Sequence, residues 1–193
     1  GDGTTFLQSM ADQAGVIYLD PARRDAAGSK TYAIEDCSPD VATLSDRLIE
    51  RANLVLIKLS PMLDWHAAVE RMKHVCEVHI VSVGGECKEL LLVMRQNGDE
   101  LRLFCANDDA VFNCNPSEES GRMPMTNDVK AGLWLYEPNA SVMKGGCFGV
   151  LAERFKVKGV GRNSHLFVAD GPVKGFPGRG FEIVAVSSMN RKE

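Results

Sequence analysis

Asp20-Pro21-Ala22-Arg23 sets an acid, a proline and an arginine directly behind the apolar run Gly15-Val16-Ile17-Tyr18-Leu19. A carboxylate delivered by the end of a buried strand stands where open α/β sheets bind their ligands. There it can orient a nucleophile, while the proline fixes the turn. Asp20 is read as positioning an acceptor or the edge of a cofactor. Pro21 would shape the loop, and Arg23 would contact an acceptor phosphate or brace the loop. A strand-end turn without chemistry uses the same Asp-Pro pair. Lys58-Leu59-Ser60-Pro61 closes a second apolar run, so Lys58 and Ser60 can line the same pocket as polar contacts. Ser60 serves equally well as a helix N-cap.

Other reactive side chains show no comparable pattern. Six cysteines (Cys37, Cys76, Cys87, Cys105, Cys114, Cys147) form no C-x-x-C pair and no framework, which favours reduced core thiols in a cytosolic protein over disulfides. The histidines His66, His74, His79 and His165 lack metal-ligand spacing, and no metal is expected. Charge is uneven. Residues 1–131 carry 13 Lys+Arg against 21 Asp+Glu, a net of −8, whereas residues 132–193 carry 9 against 5, a net of +4. An acidic body with a basic tail suits an anionic partner. In the tail Lys144, Arg154, Lys156, Lys158, Arg162, Lys174 and Arg179 are interleaved with phenylalanines. That mixture can bind RNA phosphates and bases, or can be a solvated surface over a packed core.

The elements that would position these residues alternate in type. With 193 residues and 45% hydrophobic content, the chain can form one domain and part of another. A strand is expected over 16–19. A helix should start at Ser38-Pro39-Asp40 and run to about Asn53, with Val41, Leu44, Leu48 and Ile49 on one face. Leu54 to Leu59 reads as a central parallel strand buried on both faces, and Ser60-Pro61 opens a second helix. Strands over 78–83, 90–94 and 101–105 follow, with Asn97-Gly98 as a hairpin turn between the last two. Residues 108–130 read as a loop or linker. Then come a strand at Leu133–Pro138, a helix from Asn139 to about Phe155, and short strands over 157–160, 165–169 and 181–186. Gly145, Gly146 and Gly149 would weaken that helix unless they allow close backbone packing.

Strand, Asp-Pro-Ala-Arg and polar loop together resemble the fourth motif of class I S-adenosylmethionine-dependent methyltransferases, in the form found among RNA methyltransferases. Leu135 to Ser141, Asn163-Ser164-His165-Leu166 and Phe176-Pro177-Gly178-Arg179 are similar to strings in bacterial methyltransferases that carry a small ferredoxin-like segment and a THUMP-like domain. The resemblance implies that Asp2 and Gly3 belong to a loop contacting the adenine of S-adenosylmethionine; capping of a helix is the other reading of Asp2. It also implies that the glycine-rich turn for the rest of that cofactor lies upstream, and that the THUMP-like part lies beyond Glu193. Ser60 stands where 5-methyluridine enzymes of this type have cysteine, which weighs against covalent pyrimidine chemistry.

The expected fold is therefore α/β: the C-terminal half of a Rossmann-like methyltransferase sheet over 1–107 ending in an antiparallel hairpin, a linker over 108–131, and a small α+β ferredoxin-like domain over 132–193. The expected function is that of a fragment, inactive alone, of a cytoplasmic S-adenosylmethionine-dependent RNA methyltransferase. Lys156, Lys158 and Arg162 would meet RNA, and an unpaired sheet edge would favour self-association. A non-catalytic RNA- or protein-binding module on an α/β scaffold is the alternative.

Overall fold

The computed structural model describes residues 2–23, 34, 37–98, 100–119, 122–161 and 163–187. The chain opens with a short helix, α1 (Gly3–Ser9), then β1 (Ala14–Leu19), the two-residue strands β2 (Ala22–Arg23) and β3 (Cys37–Ser38), and α2 (Ser45–Arg51). Next come β4 (Ala52–Leu59), α3 (Trp65–Arg71), β5 (Val75–Val83), β6 (Glu86–Met94), β7 (Arg102–Asn107) and β8 (Ala110–Cys114). After a 3₁₀ turn at Pro116–Glu118 follow β9 (Trp134–Pro138), α4 (Ala140–Gly145), α5 (Phe148–Phe155), β10 (Lys158–Gly159), β11 (Phe167–Ala169) and β12 (Gly178–Glu182).

One six-stranded sheet has the order β1-β4-β6-β5-β7-β8, and a four-stranded sheet has the order β10-β11-β9-β12. The larger one is mixed: β1 is parallel to β4 and β5 to β7, while β6 runs antiparallel between β4 and β5. The carboxyl ends of β1, β4, β5 and β7 therefore share one edge of the sheet. The expected fold class, an α/β sheet closed by antiparallel pairing and followed by a smaller α+β unit, is the one observed.

Strand period decides what this sheet buries. The row Ile57, Leu92, Val78, Leu103 aligns across four strands, and none of the four exposes any surface. The helices supply Leu48, Ile49, Trp65, Ala68, Val142 and Leu151 to the same continuous core. The other face carries Val16, Tyr18, Leu54, Leu56, Lys58, His79 and Phe104, all partly or largely exposed. β4 is thus not buried on both faces as its apolar run suggests. Val55, Ile57 and Leu59 point into the core, while Leu54, Leu56 and Lys58 alternate onto the open side.

Several expected boundaries move. Ser38 is in β3, and Asp40 forms a turn by accepting from Ala42 N and Thr43 N at 3.0 and 3.2 Å, so the helix starts only at Ser45. Ser60 Oγ likewise accepts from Met62 N at 3.1 Å, but Asp64 caps α3 through His66 N. Asn97-Gly98 does not make a hairpin. The β5–β6 hairpin turns at Gly84-Gly85, both at positive φ, and β7 crosses to pair in parallel with β5. Part of the expected linker is β8, paired to β7 around Asp108, itself at positive φ. The single helix expected after Asn139 is two, divided at Gly146 in the left-handed region. The glycines around that break serve packing. A Cβ on Gly145 would stand 2.8 Å from Cys105 Sγ, and Gly149 and Val150 donate their N–H groups to Glu119 Oε2 at 2.8 and 3.2 Å.

Candidate functional site

The parallel pairing of β1 and β4 aligns Leu19 with Ile57, so the next residues, Asp20 and Lys58, fall side by side on the open face at the carboxyl edge. Lys58 Nζ is 2.7 Å from Asp20 Oδ2 and 3.9 Å from Glu89 Oε2 on β6. The hydrogen bond that Lys58 donates to Asp20 raises the Lys58 pKa above the usual lysine value, so this cation stays charged throughout the neutral range. The Asp20 carboxylate remains half exposed. An exposed acid held by an adjacent ammonium can position an acceptor group without being buried itself.

The rest of the motif gives the loop its path. Pro21 is buried, and Ala22 and Arg23 leave the large sheet to pair with Ser38 and Cys37. The Arg23 side chain and the polar loop 24–33 lie outside the described residues. Ser60 is buried, its hydroxyl accepting from the Met62 amide. The structure thus brings together Asp20 and Lys58, and it adds Glu89, which carried no sequence signal because it faces Lys58 only through the antiparallel insertion of β6.

Asp2 caps α1. Its Oδ1 accepts from Thr5 N at 2.8 Å and from the Thr4 and Thr5 hydroxyls, which lower its pKa, Thr4 most. Asp2 and Gly3 border a cavity of about 680 Å³ walled by Phe6, Met10, Val16, Tyr18 and Leu44. Its apolar walls and single carboxylate suit a flat heterocycle with an amino group. Of the two sequence readings of Asp2, the helix cap is observed, and the same residue borders this cavity.

The tail basics do not form one surface. Lys158 lies on β10 at one edge of the small sheet and Arg179 on β12 at the other. Lys156 and Lys158 border a 90 Å³ hollow with Asp128, Lys130 and Asp170; Arg162 lies outside the described residues. Arg154 and Lys144 donate to Asn113 O at 2.7 Å and Leu63 O at 2.8 Å. Most tail aromatics are packing: Phe176 contacts Phe155 and Phe167, and Phe148 contacts Phe167, leaving Phe181 exposed.

Residues 134–177 match the family pattern of a ferredoxin-like domain. Most of the chain superposes on the crystal structure of a "putative methyltransferase" from Porphyromonas gingivalis W83, with a TM-score of 0.78 and 33% sequence identity. This chain is methyltransferase-like. The match covers 87% of this chain and 43% of that one, so the chain spans less than half the length of its relative. No curated protein matches the sequence. Among the described residues no helix is long and apolar enough to cross a membrane, and no group of three or more His, Cys, Asp or Glu side chains could hold a metal.

Proposed function

We propose that the chain is the C-terminal half of the catalytic domain, with its ferredoxin-like accessory unit, of a cytoplasmic S-adenosylmethionine-dependent methyltransferase acting on RNA. The observation that carries this reading is the Asp20–Lys58 pair at the carboxyl edge of a sheet with β6 inserted antiparallel between β4 and β5. That arrangement occurs in a chain whose solved relative is described as a "putative methyltransferase". Asp20 would orient the acceptor, Lys58 would hold that carboxylate in place, and Pro21 and Arg23 would shape the loop around it. Ser60 would hold the strand end in register. Asp2 and Gly3, beside the apolar cavity wall, would hold the adenine end of S-adenosylmethionine, which when bound supplies the electrophilic methyl group. Lys156, Lys158 and Arg162 would meet RNA phosphates, the rest of the cofactor site coming from residues that this chain does not contain.

The test is transfer of labelled methyl from S-adenosylmethionine to cellular RNA by the longer protein. Asp20→Ala should reduce transfer by about a hundredfold, the scale of a mispositioned reacting group, with little change in thermal midpoint because the side chain is half exposed. Wild-type transfer by the variant would remove Asp20 from the site. A non-catalytic RNA-binding module would instead bind RNA equally with or without Asp20 and transfer nothing.

A further inference from the structure

Two of the three strings singled out in the tail, far apart in sequence, meet at a cleft that the proposed reaction leaves unused. Glu137, Pro138, Asn139 and Ala140 come from one, Arg179 from the other, and Gly84, Gly85, Asn107 and Asp108 from the β5–β6 and β7–β8 turns opposite. The cleft has a volume of about 840 Å³, within the usual range for small-molecule sites. It opens at the carboxyl edge that also carries Asp20, on the other face of the sheet. Lys144 ties its α4 wall to the loop after β4 through Leu63 O.

The lining defines the ligand. Lys144 and Arg179 are matched by Glu137 and Asp108, so the cleft is no trap for anions. Arg179 is held by Glu137 at 2.5 Å across the β9–β12 pair, and Asn107 is engaged by Ser82 at 2.6 Å and by Asp108 at 2.9 Å. Asn139 is different: among the described residues its side-chain amide makes no hydrogen bond, and it does not cap α4. It is a half-buried donor and acceptor left open beside a carboxylate and a planar guanidinium. The glycine wall opposite has nothing within 4 Å of an added Cβ at Gly84 or Gly85, leaving room for a flat ring.

We propose that this cleft binds a nucleobase of the RNA substrate, read by the Asn139 amide and Glu137 carboxylate and flanked by Arg179. Amide, carboxylate and guanidinium groups are those that read the edges of unstacked bases. The proposal rests on the RNA reading above for its biological ligand, but the cleft can be tested without catalysis. The four uncharged ribonucleosides, with ribose 5-phosphate as the phosphate probe, would be titrated into the isotope-labelled chain and followed by amide NMR shifts.

At least one nucleoside should shift the Gly84, Gly85 and Asn139 amides, and Asn139→Ala should weaken it about fivefold, the scale of lost neutral hydrogen bonds. Glu137→Gln, which turns an acceptor into a mixed donor and acceptor, should change which nucleoside binds best. Ribose 5-phosphate binding as well as every nucleoside, no nucleoside binding at all, or an unaltered response in both variants would overturn the proposal. Failure of the methyltransferase reading shows separately, as methyl transfer indifferent to Asp20→Ala, and leaves these titrations unchanged.

Discussion

At the scale of single residues, the Asp20–Lys58 pair separates a functional from a structural role. The Lys58 pKa is raised, mainly by the hydrogen bond it donates to Asp20. Whatever the pair contributes to folding is therefore fully present below the ordinary lysine value and lost only as pH rises through the higher folded one. Across pH 6–9 the pair stays intact, so activity in that range should show no limb from Lys58. Lys58→Met keeps the aliphatic stem over the open face and removes the charge. It should depress methyl transfer by the longer protein while leaving its thermal midpoint close to wild type, checked by turnover and calorimetry side by side. Equal loss of both would make Lys58 structural. The thiols lie at the opposite extreme. Burial pushes Cys105 up to about 12, and a hydrogen bond with Cys114, together with burial, raises Cys147 further. A raised pKa disfavours the thiolate that either would need as a nucleophile at neutral pH.

At the scale of elements, the break between α4 and α5 is the feature with the clearest energetic test. Gly145 lets α4 approach β7 so closely that a Cβ would meet Cys105 Sγ at 2.8 Å and Leu103 Cδ2 at 3.1 Å. Both neighbours are buried and cannot move aside cheaply. Gly145→Ala, favourable by helix propensity, should instead destabilise the fold by about 1–3 kcal/mol through overpacking, measured by denaturant unfolding. A stabilised variant would show that the core relaxes around the methyl group. Sequence propensity expressed only the cost of these glycines; the reason for them lies in β7, some 40 positions away in the chain.

At the scale of the whole molecule, the large sheet ends in β1, which among the described residues pairs on one side only, with β4. Val16 is 59% and Tyr18 55% exposed, next to the partly open face of Leu54 and Leu56. An uncapped edge of this kind templates further pairing. The chain should therefore self-associate with rising concentration in sedimentation experiments, and Tyr18→Lys, which sets a charge on the edge, should shift it toward monomer. Concentration-independent monomer behaviour of the unaltered chain would contradict this.

The chain's residues by themselves determined most strands of the large sheet, β8 excepted, and where the acid falls. Apolar runs, Asp-Pro and paired glycines act locally through burial and backbone freedom, so β1, β4 and the end of β1 at Asp20 were legible from sequence. The methyltransferase resemblance was equally local, resting on short strings. Only tertiary structure decided which strands pair. Leu54 to Leu59 can be buried on one face or two depending on where the helices settle, and Asn97-Gly98 can turn a hairpin or a crossover depending on which partner strand lies free. Insertion of β6 put Glu89 beside Lys58, and the return of β12 to β9 set Arg179 against Glu137 and away from Lys158. Such contacts join residues tens of positions apart, whose meeting is set by the pairing of whole strands and the closing of one core, which no local pattern carries.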